Sequence, residues 1–380
     1  MAAGESSLAR MRKTLHRHAR GGWQRVVFAR PGGVDERVVE ASSWAGVDDP
    51  LAALLAGATE AARAGLVKIT LVLDECSRVQ IDARHGAGKV IARDDATLDK
   101  QMGGKQRALR PDTSGELLRV IGIMNADGTI SAKHAKKYKQ VSHFVELCKP
   151  VWDALRGRRE ITVEAPLRVL DLGCGNGVLT FVIAEALRLQ GLAARIVGVD
   201  VRDDVVERAQ GRAQQLGWDE LAFVRTSIAD VADARELLGG APDLVVALHA
   251  CDTATDDALL LARAAGAAAI LAAPCCQHEL AGQLGAATVP VPAIAKHGLL
   301  LQDYAATLTD ALRIEALLAW GYAVDTLEFV SDTHTPKNLL LRALLRGGPH
   351  PSALDALAQR CAALGVHPRI LCPPPPPRDR

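Results

Sequence analysis

From Pro166 onward, short apolar runs alternate with amphipathic stretches at a regular beat. Arg168 to Leu172 is apolar but for Asp171 and reads as a strand, and Val178 to Leu187 reads as the helix after it. A second strand, Arg195 to Val199, ends in Asp200. Asp203 to Leu216 places Val205, Val206, Ala209, Ala213 and Leu216 on one helical face and stops at Gly217. Leu221 to Arg225, Asp243 to Leu248 and Ala267 to Ala273 are further strands. Between the last two, Thr253 and Asp256 have the spacing of a capping box for a helix ending at Gly266. Strands and helices alternating at this length predict a doubly wound parallel sheet. Ala323 to Val330 and Asn338 to Leu345 then read as two strands with no helix between them.

The pattern before Pro166 differs. Met1 to Gly22 is basic and weakly apolar, and reads as a frayed helix or tail. Trp23 to Arg30 and Glu36 to Glu40 are short strands around a Pro-Gly-Gly turn, and the alanine-rich Pro50 to Gly65 is helical. Leu66 to Leu73, Ser77 to Ala83 and Lys89 to Ala92 complete a small antiparallel sheet. Asp99 to Asp112 is a polar stretch carrying Lys100, Lys105, Arg107 and Arg110, read as a solvated segment or an edge for phosphate contacts. Tyr138, Val141, Phe144, Val145 and Cys148 repeat at helical spacing, predicting a helix that leads into the second domain. The expected organisation is an α+β domain at 1–131, a larger domain at 132–346, and a terminal helix with a proline-rich tail at 347–380.

Composition adds a division of charge. The net charge of the 380 residues is +1, but residues 1–150 carry 24 Lys and Arg against 17 Asp and Glu, or +7, leaving −6 for the remainder. That division suits either a basic part that holds a polyanion for an acidic catalytic part or two ordinary domains of unequal charge. The eight cysteines have no disulfide-scaffold spacing, which fits a reducing compartment. No segment is long and apolar enough to span a bilayer, and the expected location is the cytoplasm.

The candidate chemistry begins at the first strand-to-helix turn. Gly173, Gly175 and Gly177 let the backbone turn tightly and leave room for a ligand, and Asn176 lies among them. Asp171 precedes them, giving Asp-x-Gly-x-Gly-x-Gly rather than the Gly-x-Gly-x-x-Gly of dinucleotide sites. A carboxylate there suits a cationic ligand better than a pyrophosphate. Asp200 stands where an acid at the second strand's tip bonds a ribose diol. The stretch resembles the first motif of the class I S-adenosylmethionine (SAM) methyltransferases. That resemblance implies SAM as cofactor, and a Rossmann-like doubly wound α/β sheet of seven strands with its last strand antiparallel, preceded here by the smaller α+β domain. Asp171, Gly173, Gly175, Asn176, Gly177, Asp200, Val201, Ile228 and His249 are the cofactor-binding residues it implies.

The loops after the fourth and fifth strands bring His249, Cys251 and Asp252 together with Pro274, Cys275, Cys276 and His278. Three readings compete for them. They shape an acceptor pocket in which His249 or His278 takes a proton; a cysteine adds covalently to a base ring; or they bind a metal. The tandem Cys275 and Cys276 are poor metal-ligand spacing because adjacent side chains diverge, so no metal is expected. Cys174 and Cys275, taken singly, read as small packing groups. His249-x-Cys251, Pro274-Cys275-Cys276-x-His278 and Thr335 to Asn338 resemble a subgroup of bacterial methyltransferase-like proteins related to eukaryotic tRNA 2′-O-methyltransferases. The resemblance implies that His249, Cys251, Asp252, Cys275, Cys276 and His278 line the acceptor site. The expected activity is SAM-dependent methyl transfer to RNA (tRNA or rRNA). A protein or small-molecule acceptor, and a non-catalytic RNA-binding scaffold, are the alternatives.

Overall fold

The structure, a computed structural model, describes residues 4–31, 34–74, 77–92, 102–231, 233–248, 250–286, 293–329 and 338–372. His249, Thr335 to Lys337, Lys100 and the proline run at Pro373 lie outside the described residues. Two compact units divide at Lys139 and Gln140, later than the boundary at 131 expected from sequence.

The first unit opens with helix α1 (Glu5–Ala19), then strands β1 (Arg25–Arg30) and β2 (Val34–Glu40), helix α2 (Pro50–Arg63), and strands β3 (Lys68–Val72), β4 (Ser77–Asp82) and β5 (Gly88–Ala92). The strands form one antiparallel sheet in the order β2-β1-β3-β4-β5. Alternation puts Val26 and Phe28, Ile69 and Leu71, and Val79 and Ile81 into one core, which both helices cover. Residues 5–19 are therefore no frayed tail. Leu8, Met11, Leu15 and Ala19 fall on one stripe of α1 and are buried beside Leu54, Ala58, Ala61 and Ala62 of α2. Their spacing was visible in a segment whose basic composition obscured it. A short helix α3 (Gly115–Val120) follows, and then α4 (Ala132–Arg156), within which the boundary between the units falls.

The second unit contains β6 (Leu167–Leu172), α5 (Val178–Leu189), β7 (Ala194–Asp200), α6 (Asp203–Leu216), β8 (Leu221–Arg225), α7 (Ala234–Leu238) and β9 (Leu244–Ala247). Helix α8 (Thr253–Ala265), β10 (Ala269–Ala272), α9 (Glu279–Ala286), α10 (Gly298–Ala319), β11 (Tyr322–Glu328), β12 (Leu339–Leu345) and α11 (Pro351–Ala363) complete it. The seven strands run β11-β12-β10-β9-β6-β7-β8. β6 to β10 pair in parallel, and β12 lies antiparallel to both β10 and β11. The chain builds outward from β6 through β7 and β8, then returns to the other side of β6 at β9. That reversal is a topological switch point, and ligands of open α/β sheets bind there, beyond the strands' carboxyl ends.

Two expectations change in this unit. Helix α11 is no appendage: Leu357 and Cys361, with Val366 and Ile370 beyond, are buried in the same core as β10 and α10. The capping box before α8 is also not formed. Asp252 is the N-cap residue, and Asp256, only 1% exposed, turns inward to the guanidinium of Arg313 on α10.

Candidate cofactor and acceptor site

Strand β6 delivers the chain into the glycine turn, where Gly173, Gly175 and Gly177 adopt φ of 72°, 56° and 75°. A side chain is strained in that region, so glycine is required by the backbone itself. The last two then differ in what surrounds them. A Cβ on Gly175 would meet nothing within 4 Å, so the turn is open there. One on Gly177 would come within 3.1 Å of Phe181 and Phe223 and 3.2 Å of Ala209. Gly177 thus serves the seating of α5, whereas Gly175 leaves space outside the protein. Gly198 in β7 was not singled out from sequence, yet a Cβ there would lie 2.7 Å from Phe223 and 2.9 Å from the Cys174 sulfur. Its signal was a glycine inside a strand, which marks a close approach.

Two carboxylates flank this turn. Asp171 is buried, and one of its oxygens accepts the Thr180 hydroxyl at 2.5 Å. Burial pushes its carboxyl up to about 6; the Thr180 bond opposes this and the charge of Asp200 adds to it. At Asp200, one oxygen accepts the Gly175 N–H at 2.9 Å and the other accepts the Arg202 N–H at 3.0 Å. Asp200 therefore holds the turn itself, from the tip of the neighbouring strand. Asn176 is half-buried and gives its carbonyl to Arg212 at 2.7 Å, while Val201 is exposed beyond Asp200. Ile228 stands at the start of a short 3-10 turn after β8, partly buried against the core. Cys174 is buried beneath the turn, where desolvation and the two nearby acids push its thiol up, so it packs and does not react.

On the far side of the switch point, the loops after β9 and β10 are fastened together. The Asp252 N–H donates to the Cys276 carbonyl at 2.9 Å. One Asp252 oxygen accepts the N–H groups of His278 (2.9 Å) and Glu279 (3.2 Å), at the start of α9. Asp252 makes these bonds from φ 51°, ψ −128°, a conformation rare for a residue with a side chain. Arg313 holds the loop from behind: its guanidinium donates to the Asp252 carbonyl at 2.9 Å and to both Asp256 oxygens, at 2.6 and 2.9 Å. Gln277 is buried and donates to Asp310 at 2.6 Å. Neither Gln277 nor Arg313 was a candidate from sequence.

Cys251 and Cys275 are exposed, Cys276 is half-buried, and His278 is exposed. The sulfurs of Cys251 and Cys275 are 3.3 Å apart, and the three sulfurs all lie within 4.8 Å of one another. The expectation that tandem side chains diverge does not hold here: the sulfurs of Cys275 and Cys276 lie within 4.8 Å of each other and of Cys251 from the neighbouring loop. Desolvation first, then Cys251 and Cys276, push the Cys275 thiol up to about 12. A thiol held so high is a poor nucleophile near neutral pH, which weighs against the covalent reading, one of the three that competed for these loops.

Residues 136–283 match the profile of a family described as a methyltransferase domain. A curated relative, aklanonic acid methyltransferase DauC of Streptomyces sp. (strain C5), is 29% identical over 96 residues, covering 23% of this chain and 42% of the relative. This chain thus spans less than half the length of that relative. Among solved structures, magnesium protoporphyrin IX methyltransferase (ChlM) from Synechocystis PCC 6803 aligns at 18% identity and TM-score 0.35, over 62% of this chain and 95% of that one. An rRNA methylase from Streptococcus thermophilus aligns at 14% identity and TM-score 0.32, over 51% and 93%. The second unit contains a SAM-dependent methyltransferase domain of class I architecture.

The site fits that cofactor on its own chemistry. A turn open at Gly175, with Asp171 and Asp200 beside it, is chemically compatible with a ligand that carries positive charge. When bound, SAM supplies an electrophilic methyl on a sulfonium. The chain's residues would orient it: Asp171 toward the ammonium, Asp200 toward the ribose, with the glycine turn admitting the body. Gly175→Ala is a direct check. The strained φ costs about 1 kcal/mol of stability, so the melting temperature should fall by only a few degrees, whereas calorimetry should show SAM affinity reduced at least tenfold. Unchanged affinity would mean the ligand does not use this opening.

Proposed function

We propose that the protein is a SAM-dependent methyltransferase acting on RNA, with the basic first unit presenting the substrate to the acidic second. The observation that carries the choice of RNA is a cationic surface within the first unit. The opening turns of α4 expose Lys133, Lys136, Lys137 and Lys139, while the loop before α3 exposes Lys105. That loop packs on the same stretch of helix. The Tyr138 hydroxyl donates to the Leu109 carbonyl at 2.7 Å, and the Arg107 guanidinium lies 5.6 Å from the Tyr138 ring centre. Lysines grouped without a strict pattern on an ordered support suit contacts to a phosphate backbone rather than to bases. Methyl transfer needs chiefly alignment of nucleophile, methyl and sulfur. The fastened loops after β9 and β10 would supply that alignment.

The test is transfer of a labelled methyl group from SAM to total RNA and, in parallel, to protein extract. Label in the RNA fraction that nuclease removes supports the proposal. Label that survives nuclease in protein or small molecules refutes an RNA acceptor, and SAM binding without transfer to any pool identifies a scaffold.

A further inference from the structure

A second feature at this edge of the sheet has its own chemistry. Cys251, Cys275 and Cys276 come from loops after neighbouring strands, and their sulfurs lie within 4.8 Å of one another, those of Cys251 and Cys275 at 3.3 Å. In a tetrahedral zinc–thiolate site with Zn–S of about 2.3 Å, sulfurs stand about 3.8 Å apart. The observed cluster brackets that distance, so small side-chain rotations suffice to bring all three onto one ion. The 3.3 Å pair is well outside the S–S length of a disulfide, about 2.05 Å.

The support around the cluster is already in place. The Asp252 N–H bond to the Cys276 carbonyl joins the two loops, and the Asp252 side chain fixes the chain after Cys276. Arg313, fully buried, holds the Asp252 carbonyl in turn. A preorganised backbone behind the ligands is what a metal site of useful affinity needs. Three sulfurs also leave a tetrahedral ion one position short, and the exposure of Cys251 and Cys275 places that position toward solvent.

We infer that Cys251, Cys275 and Cys276 form a three-thiolate site for a soft, thiophilic cation of the Zn2+ class, with a fourth position open to an external donor. Binding forms three metal–sulfur bonds and breaks three S–H bonds, and the protons pass to solvent. The inference stands apart from the choice of methyl acceptor.

Cobalt(II) is the probe, added to the fully reduced, metal-free full-length protein without oxygen. The expected result is a thiolate-to-cobalt charge-transfer band that saturates at one equivalent and is bleached by one equivalent of Zn2+. Cys276→Ser should weaken Co2+ binding at least tenfold, and the combined Cys251→Ser, Cys275→Ser, Cys276→Ser variant should lose the band. The five cysteines left in that variant control for adventitious thiol binding. If it does not fold, X-ray absorption on the zinc-loaded parent decides instead: three sulfur scatterers at about 2.3 Å support the site, and a shell of nitrogen or oxygen alone overturns it. Absence of the band in the reduced parent, or its survival in the triple variant, overturns the inference equally.

Discussion

Replacing Arg313 with methionine is expected to destabilise the second unit by about 3–5 kcal/mol, the cost of leaving one partner of a buried ion pair without the other. Arg313 and Asp256 are 0% and 1% exposed, so water cannot stand in for the missing guanidinium. The same substitution removes the donor to the Asp252 carbonyl and so loosens the loop that carries Cys251. Denaturant unfolding followed by circular dichroism should show the loss. Adding Asp256→Leu should recover most of it, because removing both charges together removes the uncompensated one. A single variant that unfolds with the parent would show that the pair contributes nothing.

Asp171→Asn should separate stability from function. The Asp171 carboxyl is pushed up to about 6 by burial, from an ordinary value of 3.8. Between those values the folded protein holds a proton that the unfolded chain has released, so stability falls as pH rises through this window. Above it the full penalty of the buried charge is present. The asparagine carries no such charge and can still accept from Thr180, so at pH 8 it should melt no lower than the parent, and the parent should gain on it as pH falls to 4. SAM affinity should move the other way. The variant loses the carboxylate that would attract the ammonium, and binding should weaken at least tenfold at pH 8, by calorimetry. In the parent, affinity should rise between pH 5 and 7 as Asp171 ionises; a flat profile would remove Asp171 from the ammonium's contacts.

The alternating strands and helices after Pro166 were legible because each buried strand is apolar and each helix has a clear stripe. The turn at Gly173 to Gly177 was legible because glycine at positive φ leaves a mark in sequence. The roles of its residues were less so. Gly177 and Gly198 are small because aromatic rings press on them, and those rings come from elsewhere in the chain. Arg313 was hidden for a similar reason: its partner Asp256 lies 57 positions earlier, and local spacing gave that aspartate a capping role it does not have. The cysteine cluster shows the limit most directly. Tandem residues were judged by their own geometry, while the cluster also takes in Cys251, from the adjacent strand's loop. Composition misled at α1, where many basic residues concealed four apolar ones at helical spacing.

The strand order has a consequence for how the protein is made. Of the two loop regions, the glycine turn after β6 is synthesised earlier, and β7 and β8 join it on one side. The cysteine loops cannot reach it until β9 has returned to β6 from the other side, after that whole excursion has been synthesised. If the proposed roles hold, a nascent chain has a place for the methyl donor well before it has one for the acceptor.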